Sequence, residues 1–400
     1  MKRLHYAWCI VLASFLVLFF NSGARYAFGV VFKPIIAEFG WQRGPLSGIF
    51  AINMAVFALA LLLVGKLYDK YGPRGVLLVS TLLLSGGFVG TSQAKSFGSF
   101  LFFYGVLSAF GFAGTAVPLV STLVSKWFES KKGLAVSLAL SGGSLGQFVL
   151  VPAVGLLTEA LGWREAFLFL GGAVLVVNLT LVLWVIKGDP HQMGIAPYGR
   201  KEGVRSGSSG DLTLGQALRT PSLWFFMAMM FICGGGDFFS TTHLVPMATD
   251  YGMPPVEAST LLGWYGLMSL LGLLVAGPVS DAMGCRVPIM VTFAIRVAMF
   301  LFLYLFKGTL GFYTFGLVFG FTHFVTAPLT PVLATKMYGT VNLGAVTGLI
   351  NTVHFLGGSL MAYLGGVFFD AFGNYQGALF LMALLSGIAI LSTYFIKEVS

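Results

Sequence analysis

Apolar stretches long enough to cross a membrane recur along nearly the whole chain, separated by short polar breaks. A helix needs about 20 apolar residues to span the hydrocarbon core. By that measure the pattern predicts twelve spans, at roughly 8–36, 44–65, 75–94, 97–125, 133–160, 164–186, 221–248, 256–277, 287–306, 309–335, 341–369 and 375–396. A polar segment rich in Gly, Ser and charge separates the sixth span from the seventh. The expected fold class is therefore an all-α membrane protein of twelve transmembrane helices in two pseudo-symmetric six-helix bundles. Residues 1–187 and 221–400 form the bundles, and 188–220 a cytoplasmic linker. The first apolar run is too long for a cleaved signal peptide and lacks a small-residue cleavage site, so it reads as the first span.

The polar breaks repeat. Gly65-Lys66-Leu67-Tyr68-Asp69-Lys70-Tyr71-Gly72-Pro73-Arg74 follows the second span, and Gly277-Pro278-Val279-Ser280-Asp281-Ala282-Met283-Gly284-Cys285-Arg286 follows the eighth. Both read G-x-x-x-D-x-x-G-x-R. A second pair, Gly155 to Gly162 and Gly366 to Gly373, recurs at nearly the same offset. Two matches at one offset indicate a duplicated unit, and duplication in a polytopic membrane protein points to transport.

Composition agrees: 57% of residues are hydrophobic and 9% charged, too little polar surface for a soluble globule. The net charge of +9 could suggest a nucleic-acid partner, but its distribution excludes that reading. Most of the 23 Lys and Arg residues fall in breaks on the side that carries both termini, and only Arg25 and Arg296 fall inside spans. This is the positive-inside pattern; it predicts cytoplasmic termini in the cell (inner) membrane, with the lipid bilayer as surroundings. The three cysteines, Cys9, Cys233 and Cys285, are widely spaced and indicate neither a disulfide framework nor a metal site. No Walker motif and no nucleophile–base–orienter set occurs, so no cofactor is expected, the chain is not read as an enzyme, and transport should run on a gradient.

The paired loops resemble the signature of the major facilitator superfamily. Finer motifs are similar to its monocarboxylate-porter and oxalate:formate-antiporter group. They are Tyr26-Ala27-Phe28-Gly29-Val30 with Phe39-Gly40-Trp41, Lys126-Trp127-Phe128 with Lys132-Gly133-Leu134-Ala135, Gly162-Trp163-Arg164, and His243-Leu244-Val245-Pro246. The resemblance implies that spans 1, 4, 7 and 10 line a central cavity, with 5, 8 and 11 beside them and 3, 6, 9 and 12 outside. It also implies that Asp69 with Arg74, and Asp281 with Arg286, latch the cytoplasmic side.

Ionisable groups inside spans are costly and are functional candidates by default. Arg25, beside Tyr26, offers a planar donor fork that suits a carboxylate. His354 stands where the antiporters carry an anion-binding lysine, and His323 where they carry a substrate-facing aromatic. Either histidine could hold a coupling proton. Asp237, after Gly234-Gly235-Gly236, is a proton-relay or counter-ion candidate, with His323 or Arg25 as its expected partner. Tyr26, Phe28, Thr115, Ser141, Tyr265 and Thr326 are expected to complete the cavity. Arg296, mid-span on an outer helix, must turn inward to an acid or a carbonyl. His243 is expected at the interface, and His5 and His191 in water. The Gly142-Gly143-Ser144-Leu145-Gly146 and Gly357-Gly358 clusters are read as close contacts between the halves.

One departure weakens a simple carboxylate reading. The group usually carries an arginine in the eighth span, eight residues before the loop aspartate; here that position is Leu273. The expected function is carriage of a small organic anion, a monocarboxylate, with a proton. The alternatives are anion exchange, carriage of another small metabolite, or a non-transporting membrane sensor on the same fold.

Overall fold

The architecture is that of a computed structural model, which describes residues 5–199, 212–339 and 343–396. The side chains of Asp69 and His191, both singled out above, lie outside the described residues. Twelve helical segments among those described are long and apolar enough to cross a membrane. They are span 1 (Ala7–Phe39), span 2 (Arg43–Tyr68), span 3 (Lys70–Ser92), span 4 (Phe97–Trp127), span 5 (Lys132–Leu161) and span 6 (Trp163–Val185). Then come span 7 (Pro221–Asp250), span 8 (Pro255–Met283), span 9 (Arg286–Leu305), span 10 (Thr309–Tyr338), span 11 (Leu343–Phe372) and span 12 (Gln376–Phe395). Every expected span is present, with its ends moved by a few residues.

The duplicated loops have a backbone reason for their glycines. Gly72 turns the chain between spans 2 and 3 at φ 75° and ψ 167°. Gly284 does the same between spans 8 and 9 at φ 76° and ψ 176°. A residue with a Cβ is strained at such a φ, so both loops carry glycine at the reversal.

Contacts divide the chain into two compact units. The first comprises residues 1–35 and 56–204; the second comprises 36–55 and 205–400. The N-terminal half of span 2 thus belongs to the second unit, and its C-terminal half to the first.

Within the first unit, span 5 lies directly against span 1. A Cβ on Gly142 or Gly146 would collide with the backbone carbonyl of Phe15 or Phe19. Within the second unit, a Cβ on Gly357 would strike the Phe231 carbonyl, and one on Gly234 the His354 carbonyl, so spans 7 and 11 touch backbone to backbone. This corrects the expectation of glycine contacts between the halves: these glycines seal pairs inside each unit. In lipid, helix association depends on such close van der Waals packing, because the tails are as apolar as the side chains.

The linker is tied at both described ends. Tyr198 donates its backbone N–H to the Trp127 carbonyl at 2.9 Å, and its own carbonyl accepts from Glu129 at 3.0 Å. Its ring packs on His5, Trp8 and Phe128, which places His5 in an aromatic cluster of the first unit. On the other side Leu212 donates to the Tyr338 carbonyl at 3.1 Å. A short helix, Leu214–Ala217, follows, capped reciprocally by Thr213 and Gln216.

Candidate functional site

Span 7 carries Cys233, three glycines and Asp237 through the second unit, all buried. The glycines leave room for neighbouring backbone, so spans 9, 10 and 11 can bring side chains onto the one carboxylate. Asp237 Oδ1 lies 2.8 Å from Arg296 Nη2 and 3.1 Å from His323 Nδ1. Asp237 Oδ2 lies 4.0 Å from His354 Nε2 and 3.6 Å from Cys233 Sγ. Both expected proton-handling histidines therefore meet the expected acid. The guanidinium at its side is that of Arg296.

Arg296 turns inward from span 9 and is only 1% exposed. Its donors are engaged all round. Nε–H donates to Thr322 Oγ1 at 3.1 Å and Nη2 to the Thr322 carbonyl at 3.0 Å. Nη1 donates to the Cys233 carbonyl at 3.3 Å and lies 3.5 Å from the Cys233 sulfur. Phe319 covers the guanidinium with its ring centroid at 4.9 Å. With its N–H groups committed to protein, Arg296 is built to orient and neutralise Asp237 rather than to receive a cargo.

His323 sits at the end of the first half of span 10, where the helix breaks before Thr326. Its Nδ1 is also 3.0 Å from the Tyr265 hydroxyl on span 8. Thr326 Oγ1 lies 3.4 Å from Cys233 Sγ. Leu273 is buried and leaves span 8 without a cation at that level.

The remaining candidates lie in the first unit. Arg25 is buried, with Phe57 at 3.9 Å and Phe112 at 4.5 Å from its guanidinium carbon. A desolvated cation over two aromatic faces gains about 2 kcal/mol. One turn before it, Asn21 donates to Thr115 Oγ1 at 2.6 Å and to the Phe112 carbonyl at 3.1 Å. Asn21 escaped sequence reasoning; its four-residue spacing from Arg25 was the available signal. Thr115 marks the point where span 4 loses helical geometry. Tyr26 is buried, and Phe28 stacks on Tyr104 at 4.8 Å. Ser141 turns its hydroxyl back to the Leu138 carbonyl of its own helix at 2.7 Å.

This arrangement, two units of duplicated loops and paired helices with scarce charges gathered inside, can be set beside known proteins. The family model for the Major Facilitator Superfamily matches residues 14–362 and again 226–400. The chain belongs to the Major Facilitator Superfamily. It is 28% identical to monocarboxylate transporter 13 of Bos taurus, over 97% of this chain and 89% of that one. It is 25% identical to an uncharacterized MFS-type transporter, YcxA, of Bacillus subtilis, over 92% and 90%. A bacterial homolog of the human lysosomal transporter Spinster, in an inward-facing and occupied conformation, superimposes with a TM-score of 0.77 at 16% identity, covering 98% and 96%. That likeness shows the fold. This Major Facilitator Superfamily member is thus a multi-pass membrane transporter by family, and not an enzyme.

The superfamily loops use their arginines in a matched way. Arg74 donates to the Val182 carbonyl at 3.1 Å and the Leu183 carbonyl at 2.7 Å, near the end of span 6. Arg286 donates to the Tyr394 carbonyl near the end of span 12. In each unit the arginine caps the carbonyl end of the last helix, where a cation is favoured. Asp281 is exposed.

A third network of this superfamily member went unread in the sequence. Arg43, at the start of span 2, lies over the Phe369 ring at 3.5 Å and donates to the Tyr375 hydroxyl at 2.7 Å. Tyr375 in turn lies 3.2 Å from His243 Nδ1, and His243 Nε2 is 2.7 Å from the Ala362 carbonyl. His243 was expected at the interface. It is instead fully buried, because both ring nitrogens find partners inside the second unit. Asp370 caps the start of span 2, accepting from the Arg43 and Gly44 N–H groups at 3.0 and 2.5 Å.

Proposed function

We propose that the chain is a secondary active transporter that carries a small organic anion, a monocarboxylate, together with a proton by alternating access. The observation that carries this reading is the convergence of Arg296, His323 and His354 on the buried Asp237. Asp237 and Arg296 cancel each other's charge, so with both histidines neutral the cluster carries no net charge. A proton on His323 or His354 adds one buried positive charge, which is costly unless a partner offsets it. A monoanion is such a partner. Proton and anion then favour each other's binding, and linkage makes the effect reciprocal.

Arg25 would receive the carboxylate, with Tyr26, Phe28, Thr115, Ser141, Tyr265 and Thr326 lining the route. Residues 1–187 and 221–400 would rock as two bodies joined by 188–220, with Asp69, Arg74, Asp281 and Arg286 holding the cytoplasmic ends. The cell (inner) membrane, with both termini cytoplasmic, suits the charge distribution. The likeness to monocarboxylate transporter 13 of Bos taurus supports a monocarboxylate cargo. Leu273 favours a second reading, exchange of anions or carriage of another small metabolite, because span 8 offers no cation there.

Uptake by proteoliposomes over a panel of radiolabelled acids, with and without an inward proton gradient, tests the proposal. Gradient-stimulated uptake of a monocarboxylate is the expected result. Counterflow indifferent to pH would favour exchange, and no uptake of any carboxylate would reject the cargo class.

A further inference from the structure

The two oxygens of Asp237 face different chemistry. Oδ1 is held by Arg296 and His323 at 2.8 and 3.1 Å. Oδ2 faces the Cys233 thiol at 3.6 Å and His354 Nε2 at 4.0 Å. Sulfur, carboxylate oxygen and imidazole nitrogen all lie within 4.8 Å of one another. Cys233 and Asp237 are four residues apart on one helix, the spacing that lets two ligands share a face. His354 comes from span 11, which the contacts at Gly234 and Gly357 hold in fixed register with span 7.

We propose that Cys233 Sγ, Asp237 Oδ2 and His354 Nε2 form a binding site for a thiophilic divalent cation, Zn²⁺ being the best-fitting occupant. A tetrahedral zinc with bonds of about 2.0–2.3 Å sets its ligand atoms about 3.3–3.5 Å apart. The present separations, 3.6 Å and 4.0 Å to Oδ2 and none above 4.8 Å, are wider, so binding requires the three side chains to draw together. Thiolate, imidazole and carboxylate together select zinc-like ions over Mg²⁺ or Ca²⁺, which prefer all-oxygen shells. Water or Thr326 Oγ1, 3.4 Å from the sulfur, is placed to complete the shell. On binding, the Cys233 thiol releases its proton to water. Thiolate and carboxylate then offset the cation's two charges, but with Arg296 still on Oδ1 the cluster carries one net positive charge, which tempers the affinity. Arg296 Nη1, 3.5 Å from the sulfur, is a repulsive neighbour of the cation.

The site does not depend on which cargo is carried, so it is tested without transport. The full-length protein in lipid nanodiscs is titrated with Cd²⁺, a spectroscopic stand-in whose thiolate bond gives an ultraviolet charge-transfer band. One Cd²⁺ per chain is expected, displaced by Zn²⁺, and retained when Cys9→Ser and Cys285→Ser leave Cys233 as the sole thiol. The band vanishes in Cys233→Ser and in Cys233→Ala. Binding weakens in His354→Ala by at least about 10–100-fold, the loss seen even for outer-shell partners. A band that survives in Cys233→Ser, or none in the protein carrying only Cys233, overturns the proposal. If that double-serine protein does not fold, the same titration of wild type against Cys233→Ser decides. Zn²⁺ binding without carboxylate transport would uphold the site and reject the cargo.

Discussion

Arg43 grips Asp250 with two parallel bonds, Nη1 to Oδ2 and Nη2 to Oδ1, each 2.7 Å long, across 207 positions of sequence. Side-chain exposures of 11% and 22% make the pair partly shielded, so it is worth more than a surface ion pair and less than a buried one. Arg43→Ala and Asp250→Ala should each destabilise the protein by about 1–3 kcal/mol. The double variant should be little worse than the poorer single variant, as measured by thermal unfolding in detergent. Fully additive losses would show that the two residues do not act as a pair.

Tyr375 extends this network. Burial, only partly offset by the adjacent Arg43, holds its phenol above the usual tyrosine range. A raised folded value means that its contribution is fully present below the unfolded value of about 10 and is lost as pH climbs above it. Tyr375→Phe should therefore cost about 1 kcal/mol or more, equally at neutral and mildly alkaline pH. The gap between wild type and variant should narrow only under strongly alkaline conditions.

The Asp237–Arg296 pair predicts an asymmetry. Arg296→Leu or Asp237→Leu alone strands a buried charge and should cost about 3–5 kcal/mol. Removing both together should cost less than either, because no orphaned charge remains. Thermal stability and monodispersity of the three variants check this; a double variant worse than both singles would contradict it.

Two glycines of the second unit should behave oppositely. Gly234→Ala drives a methyl into the His354 carbonyl and should lose about 1–3 kcal/mol or fail to express. Gly348 has open space around its Cβ direction, so Gly348→Ala should be neutral or stabilising by about 0.5–1 kcal/mol. Equal effects at the two sites would refute the close approach.

Under the proposed coupling, uptake should fall as pH rises on both faces, because the histidine that carries the proton is then less often charged. His354→Gln keeps a polar group but cannot carry the proton. It should flatten that pH profile and abolish stimulation by a gradient, while counterflow continues. An unchanged profile in His354→Gln and in His323→Gln would move the coupling proton elsewhere.

The spans, their duplication and the pairing of Asp237 with His323 were legible from sequence, because periodic apolarity and the cost of buried charge are local signals. That His354 also faces this acid was not, and Arg25, the other expected partner, is not the guanidinium found there. The partner of Asp237 was harder. Arg296 was expected to turn inward to an acid or a carbonyl, but it lies on a helix the resemblance puts outside, and only the packing of spans 7, 9 and 10 shows that Asp237 is the acid it reaches. Arg43 looked like an ordinary charge at a span end. Its aspartates and tyrosine lie hundreds of positions away, and no periodicity links them. His243 was misplaced for the same reason: its partners, Ala362 and Tyr375, belong to distant stretches. Cys233 offered no metal pattern alone, since the third ligand atom comes from another helix.

Span 11 is one unbroken helix bearing His354 at mid-length and Asp370 near its tip, 16 positions on (370 minus 354), or about 24 Å of rise. Its carbonyl-to-glycine seam with span 7 leaves no compressible layer, so neither rod can slide past the other without being lifted away. A displacement of the span 11 backbone at His354 is therefore carried along the whole shaft as a tilt. The same stroke moves the carboxylate that crowns the start of span 2.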